Sequence, residues 1–335
     1  MDLADAVAGE LRIPLNELAS RFSFDEATEA ARKNLRLMHG KRTENMFEYV
    51  VGSLGQAVLI TREDAGPAAS SAGDVQAPDY FVALNDGSRF LVEVKNRQLK
   101  DFQTPVILNS AYLGRLERYA ALKGHPLLIA VYWPNVGQWT INRASDIVGP
   151  GSSIHLVFQE AFQKNIAAIF GDRMLMAVPP LSCRLWADPQ KPRSIDAEGN
   201  VIFTIGDVTF HLGDVEILEE RERRLAFYFM FHSRWGERRC EAKMSGAALE
   251  YVEIESGPDD DHMIPDQDMQ SLGTLSGMIA NYYNWLTVSR DREIVRLTPS
   301  LGLGDMGTGL DDSYRGKVLK LGIMTIQPNQ AVLRL

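Results

Sequence analysis

The sequence predicts a mixed α/β protein with N-terminal helices, an αβββαβ core built on a mixed sheet, and a second mixed α/β region. Short apolar runs bounded by turn residues alternate with segments of helical apolar spacing. Residues 127–133 form a continuous apolar run, which is typical of a strand in a sheet covered on both faces. The chain has 335 residues, of which 45% are hydrophobic, and this length favours about two domains.

The first half is predicted to begin with helices and to continue into the core. Residues 1–39 have helical apolar spacing, and Asp25 can cap one of these helices. A second helix is predicted to start at Thr43. The core elements that follow are a buried strand over 57–60, a surface loop over 64–77, strands over 80–84 and 89–94, a helix over 105–122, and strands over 127–133 and 139–141.

The second half is less clearly patterned, and the sequence does not specify its type of α/β fold. The Gly-Pro-Gly segment at 149–151 is the best linker candidate. We therefore predict a helical segment over 1–43, a core domain over 44–150 and a second domain over 151–335. Its predicted elements are a helix over 153–170, a hairpin of strands 201–205 and 208–212, an ambiguous segment over 219–235, a helix over 268–288, a mobile glycine-rich loop over 299–309 and a strand over 318–326.

Charge and cysteine content exclude several function classes. The net charge is −9, so the chain lacks the overall basic surface of a passive nucleic-acid binder. Residues 1–150 contain 16 basic and 18 acidic residues, and the remainder contains 19 and 26. The chain has two cysteines, Cys183 and Cys240, which lie far apart and lack metal-ligand spacing. This excludes a disulfide scaffold and a cysteine-rich zinc site, and it fits a reducing cytoplasm. No apolar run reaches the roughly 18–20 residues of a membrane span, and the acidic start of the chain does not predict a secretory signal.

A charged cluster is predicted at the hairpin over residues 79–95. If residues 85–87 form a three-residue loop with its glycine in the left-handed conformation, the register places Asp79 opposite Glu93. Residues directly opposite each other point to the same face, and Lys95 lies one step further along that face. A two-residue loop would turn Asp79 to the other face, so the cluster depends on the loop length.

Two facing carboxylates on otherwise apolar strands need a compensating charge. Without one, the pKa of one of the two acids rises strongly. A divalent cation such as Mg²⁺ supplies that charge and prefers carboxylate, carbonyl and water oxygens. With the Lys95 ammonium beside it, such a site is chemically suited to phosphodiester hydrolysis.

The segment Pro78-Asp79, thirteen residues, then Glu93-Val94-Lys95 resembles the motif of the PD-(D/E)xK nuclease superfamily. The order of the predicted elements is also similar to the restriction-endonuclease-like core of that superfamily. The resemblance implies a metal-dependent nuclease in which Asp79 and Glu93 hold Mg²⁺ or Mn²⁺. It also implies that the Val94 carbonyl ligates the metal and that Lys95 positions the attacking water.

The resemblance covers about residues 44–142, and members of the superfamily often add an acid from the helix before the first strand. Glu44 and Glu48 lie one turn apart on one face of that helix. We prefer Glu48 as the additional catalytic acid because it is nearer the predicted sheet.

Polar residues after the motif strand and on the following helix are candidate DNA contacts, because such side chains bind or neutralise phosphates. Exonuclease branches of the superfamily carry a Gln-x-x-x-Tyr pattern on this helix. Here Arg115 stands in place of the glutamine, and Tyr119 keeps the tyrosine, so membership in that branch is not expected. The candidate contacts are Asn96, Arg97, Gln98, Lys100, Arg115 and Tyr119, with a second basic cluster over residues 32–42.

We expect a cytoplasmic, Mg²⁺-dependent DNA endonuclease, and two alternatives stay open. One is a catalytically inactive nucleic-acid-binding or scaffolding subunit with the same fold. The other is a nuclease that acts on RNA, because the sequence does not discriminate the sugar type. A nuclease core joined to a second region of 185 residues resembles the plan of bacterial restriction and anti-phage defence effectors.

The second half is expected to mediate self-association or to bind a regulatory protein, and not to supply the main DNA contact. Its net charge is −7, and it contains no motif that reads bases. Cleavage of both strands would favour a homodimer with two-fold symmetry. The apolar-aromatic stretch 225–231 and the aromatic residues of 282–285 are candidate contact surfaces or, alternatively, core. The acidic run at 258–268 is predicted to be an exposed loop, and the glycines at 302–309 match no phosphate-binding motif.

Overall fold

We describe the protein from a computed structural model. It describes residues 35–334 except 65, 67, 72, 99, 100, 148, 150–152, 197, 198, 247, 260–262, 265, 266, 292, 312 and 329. The helices predicted within 1–34, Lys100, most of the linker segment and part of the acidic run therefore lie outside the described residues. In the described part of the chain, no helix is long and apolar enough to cross a membrane.

The first half folds into a five-stranded mixed sheet with a helix on each face. Its elements are α1 (Leu35–Ser53), β1 (Ala57–Arg62), β2 (Tyr80–Leu84), β3 (Arg89–Asn96), β4 (Val106–Leu108), α2 (Ser110–Lys123), β5 (Leu127–Trp133), β6 (Gln138–Arg143) and α3 (Ala144–Ile147). The strand order in the sheet is β1-β2-β3-β5-β6. Only the β3–β5 pair is parallel among these neighbours, and the other pairs are antiparallel.

The alternation of apolar side chains along β3 explains why both faces of the sheet are covered. Phe90, Val92 and Val94 pack in one core with α1, and Leu91 packs on the opposite face with α2. All seven residues of β5 are buried, as the continuous apolar run predicted. The predicted αβββαβ core with a mixed sheet is therefore confirmed.

Two predictions for the start of the core are wrong in detail. α1 runs unbroken through Thr43, whose hydroxyl donates to the His39 carbonyl instead of capping a new helix. β1 lies at the edge of the sheet and is largely exposed, with Val58 63% exposed, whereas we predicted a buried strand. Its apolar composition alone did not distinguish an edge strand from a central one.

The helix predicted over residues 105–122 starts later than expected. The side chain of Asn109 accepts a hydrogen bond from the backbone N–H of Tyr112 and caps α2, which begins at Ser110. The three residues before this cap form β4 instead. β4 pairs with a strand from beyond residue 150, a partner that local sequence does not reveal.

The second half contains two further sheets and two longer helices. Its elements are β7 (Ile154–Leu156), α4 (Phe158–Gln163), a 3₁₀ turn (Ala167–Phe170), β8 (Met174–Ala177), β9 (Leu181–Ala187), β10 (Arg193–Ile195), β11 (Val201–Phe203), β12 (Ile205–Leu212), β13 (Val215–Glu216), α5 (Glu220–His232), β14 (Gly236–Ser245), β15 (Ala248–Gly257), β16 (Gln270–Thr274), α6 (Leu275–Thr287), β17 (Leu321–Gln327) and β18 (Gln330–Arg334). The sheet orders are β13-β12-β9-β15-β14 and β16-β8-β17-β18. Residues of both sheets, α5 and α6 share one core.

Long-range strand pairing overrides several local predictions in this half. The helix predicted over 153–170 is a strand, a short helix and a 3₁₀ turn, because β7 pairs with β4. The predicted hairpin does not form, since β11 pairs with β10 and β12 pairs with β9 and β13. The helix predicted over 268–288 is shortened to α6, because the residues before it form β16 beside β8. The ambiguous segment becomes α5, and the last predicted strand is followed by β18.

Packing is continuous across the predicted boundary at residue 150. β7 pairs with β4, and Ile279 and Tyr283 of α6 pack in the same core as α1. The buried Arg42 of α1 donates to the Thr287 hydroxyl of α6 over 3.2 Å. These contacts join the two sides of residue 150, and the division of the chain into the domains 1–43, 44–150 and 151–335 stays a prediction.

Candidate active site

The hairpin between β2 and β3 has the predicted three-residue loop and register. Tyr80 lies opposite Val92, and the pairing continues in step to the loop. Leu84 donates its N–H to the Ser88 carbonyl over 2.8 Å, and Gly87 adopts a φ of +85°, in the left-handed region. The same register brings Asp79, one residue before β2, opposite Glu93.

Asp79 ends the hydrogen-bond ladder between the two strands. Its Oδ2 accepts the backbone N–H of Val94 over 2.6 Å. The residue opposite Val94 in this register is Pro78, which has no N–H to donate to the Val94 carbonyl. The Pro78-Asp79 pair therefore satisfies the Val94 N–H with a side chain and withholds the usual strand donor from the Val94 carbonyl.

The pKa of Asp79 is raised to about 8. Burial is the main cause, because it removes water from the charged form, and the nearby Glu93 adds to the rise. The Lys95 ammonium and the hydrogen bond from Val94 act in the opposite direction but do not cancel it. At neutral pH and without a metal, Asp79 therefore carries a proton that a bound cation must displace.

Glu93 lies at the centre of a hydrogen-bonded group that includes a residue the sequence did not single out. Its side chain is 2% exposed, and Oε1 accepts from Lys95 Nζ. The Tyr112 hydroxyl donates to the same oxygen over 2.6 Å, and Lys95 Nζ lies 5.4 Å from the centre of the Tyr112 ring. Tyr112 comes from the first turn of α2, so tertiary packing of α2 on the sheet brings it to the site.

A group of three carboxylates lies beside this hairpin end. Ligand oxygens of Glu44, Asp64 and Asp79 all lie within 4.8 Å of one another. Lys41 Nζ lies 2.7 Å from Glu44 and 3.2 Å from Asp64, so an ammonium supplies the local positive charge. Such hard oxygen donors, together with the Val94 carbonyl, suit Mg²⁺ or Mn²⁺.

The structure brings Glu44 to Asp79, whereas the sequence favoured Glu48. The Glu48 carboxylate lies one turn further along α1, where Arg62 of β1 donates to it over 2.8 Å and the Tyr80 hydroxyl lies at 3.4 Å. It is not part of the described carboxylate group. The carboxylate oxygens converge where the strands end, and the choice of Glu48 as the additional catalytic acid stays a prediction.

Asp64 is a further residue that the sequence analysis missed, since we read it as part of a surface loop. The pairing of β1 with β2 places Arg62 opposite Tyr80, and the Glu63 N–H donates to the Asp79 carbonyl over 3.0 Å. The chain therefore leaves β1 beside the motif hairpin. A predicted β1–β2 register would have revealed Asp64 as a neighbour of Asp79.

The candidate DNA contacts fall in different surroundings. Asn96 is exposed at the end of β3, and Arg97 donates its backbone N–H to Tyr132, while its buried Nε has no hydrogen-bond partner among the described residues. The Arg115 guanidinium lies 5.7 Å from the centre of the Tyr112 ring, which Lys95 Nζ also approaches. Tyr119 instead donates its hydroxyl to Glu63, which Lys123 also contacts. Gln98 is exposed beside Arg97, and Lys100 is outside the described residues.

No protein-family model matches the chain, and no curated protein matches it. Among solved structures, the chain is similar to Hjc, a Holliday junction resolvase from Archaeoglobus fulgidus, an archaeal hyperthermophile. The match has 18% sequence identity and a TM-score of 0.31, and it covers 39% of this chain and 100% of the resolvase. We draw no functional conclusion from this similarity, and membership in the PD-(D/E)xK superfamily stays a prediction.

The raised pKa of Asp79 predicts that the metal-free protein loses stability as the pH rises. In the unfolded chain this carboxyl ionises at its ordinary pKa of about 4, whereas in the folded chain it holds its proton up to about pH 8. Between these values the folded state binds more protons, so the free energy of unfolding falls as the pH increases. Urea denaturation in EDTA, repeated between about pH 5 and pH 8, measures this slope.

Asp79→Asn keeps a neutral side chain at every pH and is therefore expected to flatten the slope. Asp74→Asn, at an exposed position, is the matched control and should leave the slope as in the wild type. An identical pH slope for Asp79→Asn and the wild type would contradict the raised pKa.

Proposed function

We propose that this protein is a metal-dependent nuclease that hydrolyses phosphodiester bonds of DNA, acting as an endonuclease. The observation that carries the proposal is the convergence of Glu44, Asp64 and Asp79, of which Asp79 accepts the Val94 N–H. Each of these groups presents an oxygen that suits Mg²⁺ or Mn²⁺. Glu93 and Lys95, on the same face of the hairpin, complete the predicted catalytic set.

The carboxylates and the Val94 carbonyl would hold the cation. In this role Asp79 loses its proton. We propose that Glu44 supplies the carboxylate from α1, while Glu48 keeps its contact with Arg62. When bound, the cation supplies positive charge that makes a water molecule more acidic and offsets charge on a phosphate. The proposal keeps the metal ligands that the sequence predicted, which are Asp79, Glu93 and Val94, and it adds Asp64 to them.

Lys95 and Tyr112 would act next to the reacting phosphate. The Lys95 side chain is 30% exposed, so its ammonium reaches solvent and can orient the attacking water or bind a phosphate oxygen. To do so it must turn from Glu93, which then becomes available to the cation. The Tyr112 hydroxyl holds Glu93 in place during that change, because it donates to Oε1 from a different element.

The finer parts of the proposal rest on the sequence. A preference for DNA and a role in bacterial restriction or anti-phage defence are proposed from the resemblance alone, and a cytoplasmic location is proposed from the two cysteines. Self-association or binding of a regulatory protein through residues 151–335 is likewise proposed. It is supported by the exposure of Phe227, Phe231 and Trp285, although most of the 225–231 stretch packs in the core.

Lys95→Ala is expected to preserve the fold and Mn²⁺ binding and to lower the rate of plasmid cleavage by about 10²–10³-fold, because it removes charge that stabilises the transition state. Agarose-gel assays of supercoiled plasmid with Mg²⁺ measure this rate. Lys320→Ala, which removes an exposed lysine of the second half, is the matched control and should cut at the wild-type rate.

Wild-type cutting should stop in EDTA. Cleavage by Lys95→Ala at the wild-type rate would contradict the assignment of Lys95.

The same assay with RNA of matched sequence decides the sugar preference, since faster RNA cleavage would favour the RNA-directed alternative.

Variants of Glu44 and Glu48 test which of these two glutamates of α1 binds the metal. We propose Glu44 from its position beside Asp79, whereas the sequence favoured Glu48. Glu44→Gln should weaken Mn²⁺ binding by at least about tenfold, because it removes a charged ligand from the carboxylate group. Glu48→Gln should leave Mn²⁺ affinity unchanged, since Glu48 contacts Arg62 instead. Isothermal titration calorimetry with Mn²⁺ measures both.

The reverse pattern would restore Glu48 as the additional acid. If the wild-type protein binds no Mn²⁺, the inactive binding or scaffolding subunit becomes the better account of the fold.

A further inference from the structure

Two adjoining cavities lie along α5 in the second half of the chain. One, which we name the glycine-loop cavity, has a volume of 460 Å³ and is lined by Arg221, Arg224, Tyr228, Gly307, Thr308 and Gly309 among others. The other, the aromatic cavity, has a volume of 410 Å³ and is lined by rings that include Phe210, Phe227, Tyr228, His232 and Tyr282. Arg224 and Tyr228 line both cavities, so the two spaces border the same two side chains.

The glycine-rich segment that borders the first cavity is anchored, although we predicted a mobile loop. The Tyr228 hydroxyl donates to the Met306 carbonyl over 2.9 Å, and the Met306 side chain is fully buried in the core of the first half. A Cβ atom at Gly307 would lie 2.7 Å from the Ser53 carbonyl oxygen, so the backbone approaches α1 too closely for a side chain. The wall of the cavity is therefore formed before any ligand binds.

The glycine-loop cavity offers groups that bind an anion. Arg224 is 74% exposed and lies 3.6 Å from Glu220, a loose surface pair that a better partner can displace. Arg221 is held by the Gly309 carbonyl at 3.1 Å and by Asp311 at 3.3 Å, which fixes its guanidinium at the rim. The Thr308 hydroxyl accepts from the Leu310 N–H over 3.2 Å and retains a hydrogen to donate. Guanidinium and hydroxyl groups are common partners of phosphate.

The aromatic cavity offers flat apolar surfaces. Phe227 is 51% exposed and meets Phe210 edge-on, with ring centres 6.2 Å apart. His232 stacks on Tyr282 with ring centres 4.2 Å apart and an angle of 15° between the planes. Burial lowers the pKa of His232 to about 4, so this wall is uncharged at neutral pH. Such surfaces favour a planar ring.

We propose that the two cavities together bind a nucleotide, with its base against Phe227 and Tyr282 and its phosphate at Arg224 and Thr308. A phosphate held by Arg224 lies at the junction of the cavities, so an attached base can enter the ring-lined space while the sugar spans the rim. Each cavity volume falls in the range of about 300–1,000 Å³ typical of small-molecule sites. Glu220 opposes the phosphate, because its carboxylate lines the aromatic cavity and pairs with Arg224.

The site would be separate from the proposed nuclease centre, and its test does not depend on that centre. Isothermal titration calorimetry of the full chain with AMP, in EDTA, excludes binding through a divalent cation. Adenosine and inorganic phosphate, each half of the ligand, should bind at least about tenfold more weakly than AMP, because each fills one cavity.

Variants at the cavity walls test the predicted contacts. Arg224→Ala and Phe227→Ala should each weaken AMP binding by about tenfold or more, since charged hydrogen bonds and base stacking each contribute at this level. Glu220→Gln should strengthen binding, because it removes the competing carboxylate. Arg290→Ala, an exposed arginine that lines neither cavity, is the matched control and should not change the affinity.

A short single-stranded oligonucleotide identifies the source of the nucleotide. If the oligonucleotide binds more tightly than AMP and loses affinity in both wall variants, the site receives an unpaired nucleotide of a strand. If AMP binds as tightly as the oligonucleotide, with the same losses, the ligand is a free nucleotide. The proposal is overturned if neither ligand binds, or if binding survives Arg224→Ala and Phe227→Ala unchanged.

Discussion

The hydrogen bond from the Val94 N–H to the Asp79 carboxyl is the interaction on which the candidate site depends. The bond lies where the ladder between β2 and β3 ends, opposite Pro78, which has no N–H to donate to the Val94 carbonyl. The Asp79 carboxyl accepts the Val94 N–H in place of a backbone carbonyl, and this bond holds the carboxyl at the strand end. The two-residue period of β3 then places Glu93 and Lys95 beside Asp79. A shift of one residue in this register would turn Asp79 to the face opposite that of Glu93 and Lys95.

Clustering several acids in one place has an electrostatic cost, and the structure offsets it in three ways. Asp79 keeps its proton to about pH 8. Lys95 and the Tyr112 hydroxyl share one oxygen of Glu93, and Lys41 bridges Glu44 and Asp64. These are the positions where positive charge is required, so the lysines act as internal counter-ions in the metal-free chain. A divalent cation bound there would replace part of this compensation and would free Lys95 for the substrate.

The sequence predicted the structural features that are set by residues close together in the chain. It missed those that are set by residues far apart in the chain. Loop length and strand period are local, and they were sufficient for the register of the β2–β3 hairpin and for the face shared by Asp79 and Glu93. Tyr112 and Asp64 reach the site through the packing of α2 and the pairing of β1, and neither follows from local patterns. The same reason explains the wrong elements of the second half. β16, for example, pairs with β8, which lies about ninety residues earlier in the chain.

A divalent cation held by the carboxylates at the end of the hairpin and by the Val94 carbonyl is the core of the proposed function. Anomalous X-ray diffraction from crystals grown with Mn²⁺ locates such an ion without reference to activity. We expect an anomalous peak about 2.0–2.3 Å from an Asp79 oxygen and the Val94 carbonyl oxygen, with Glu44 or Glu93 as a further ligand. A fully ordered site with no peak there, with Lys41 still bridging Glu44 and Asp64, would contradict it.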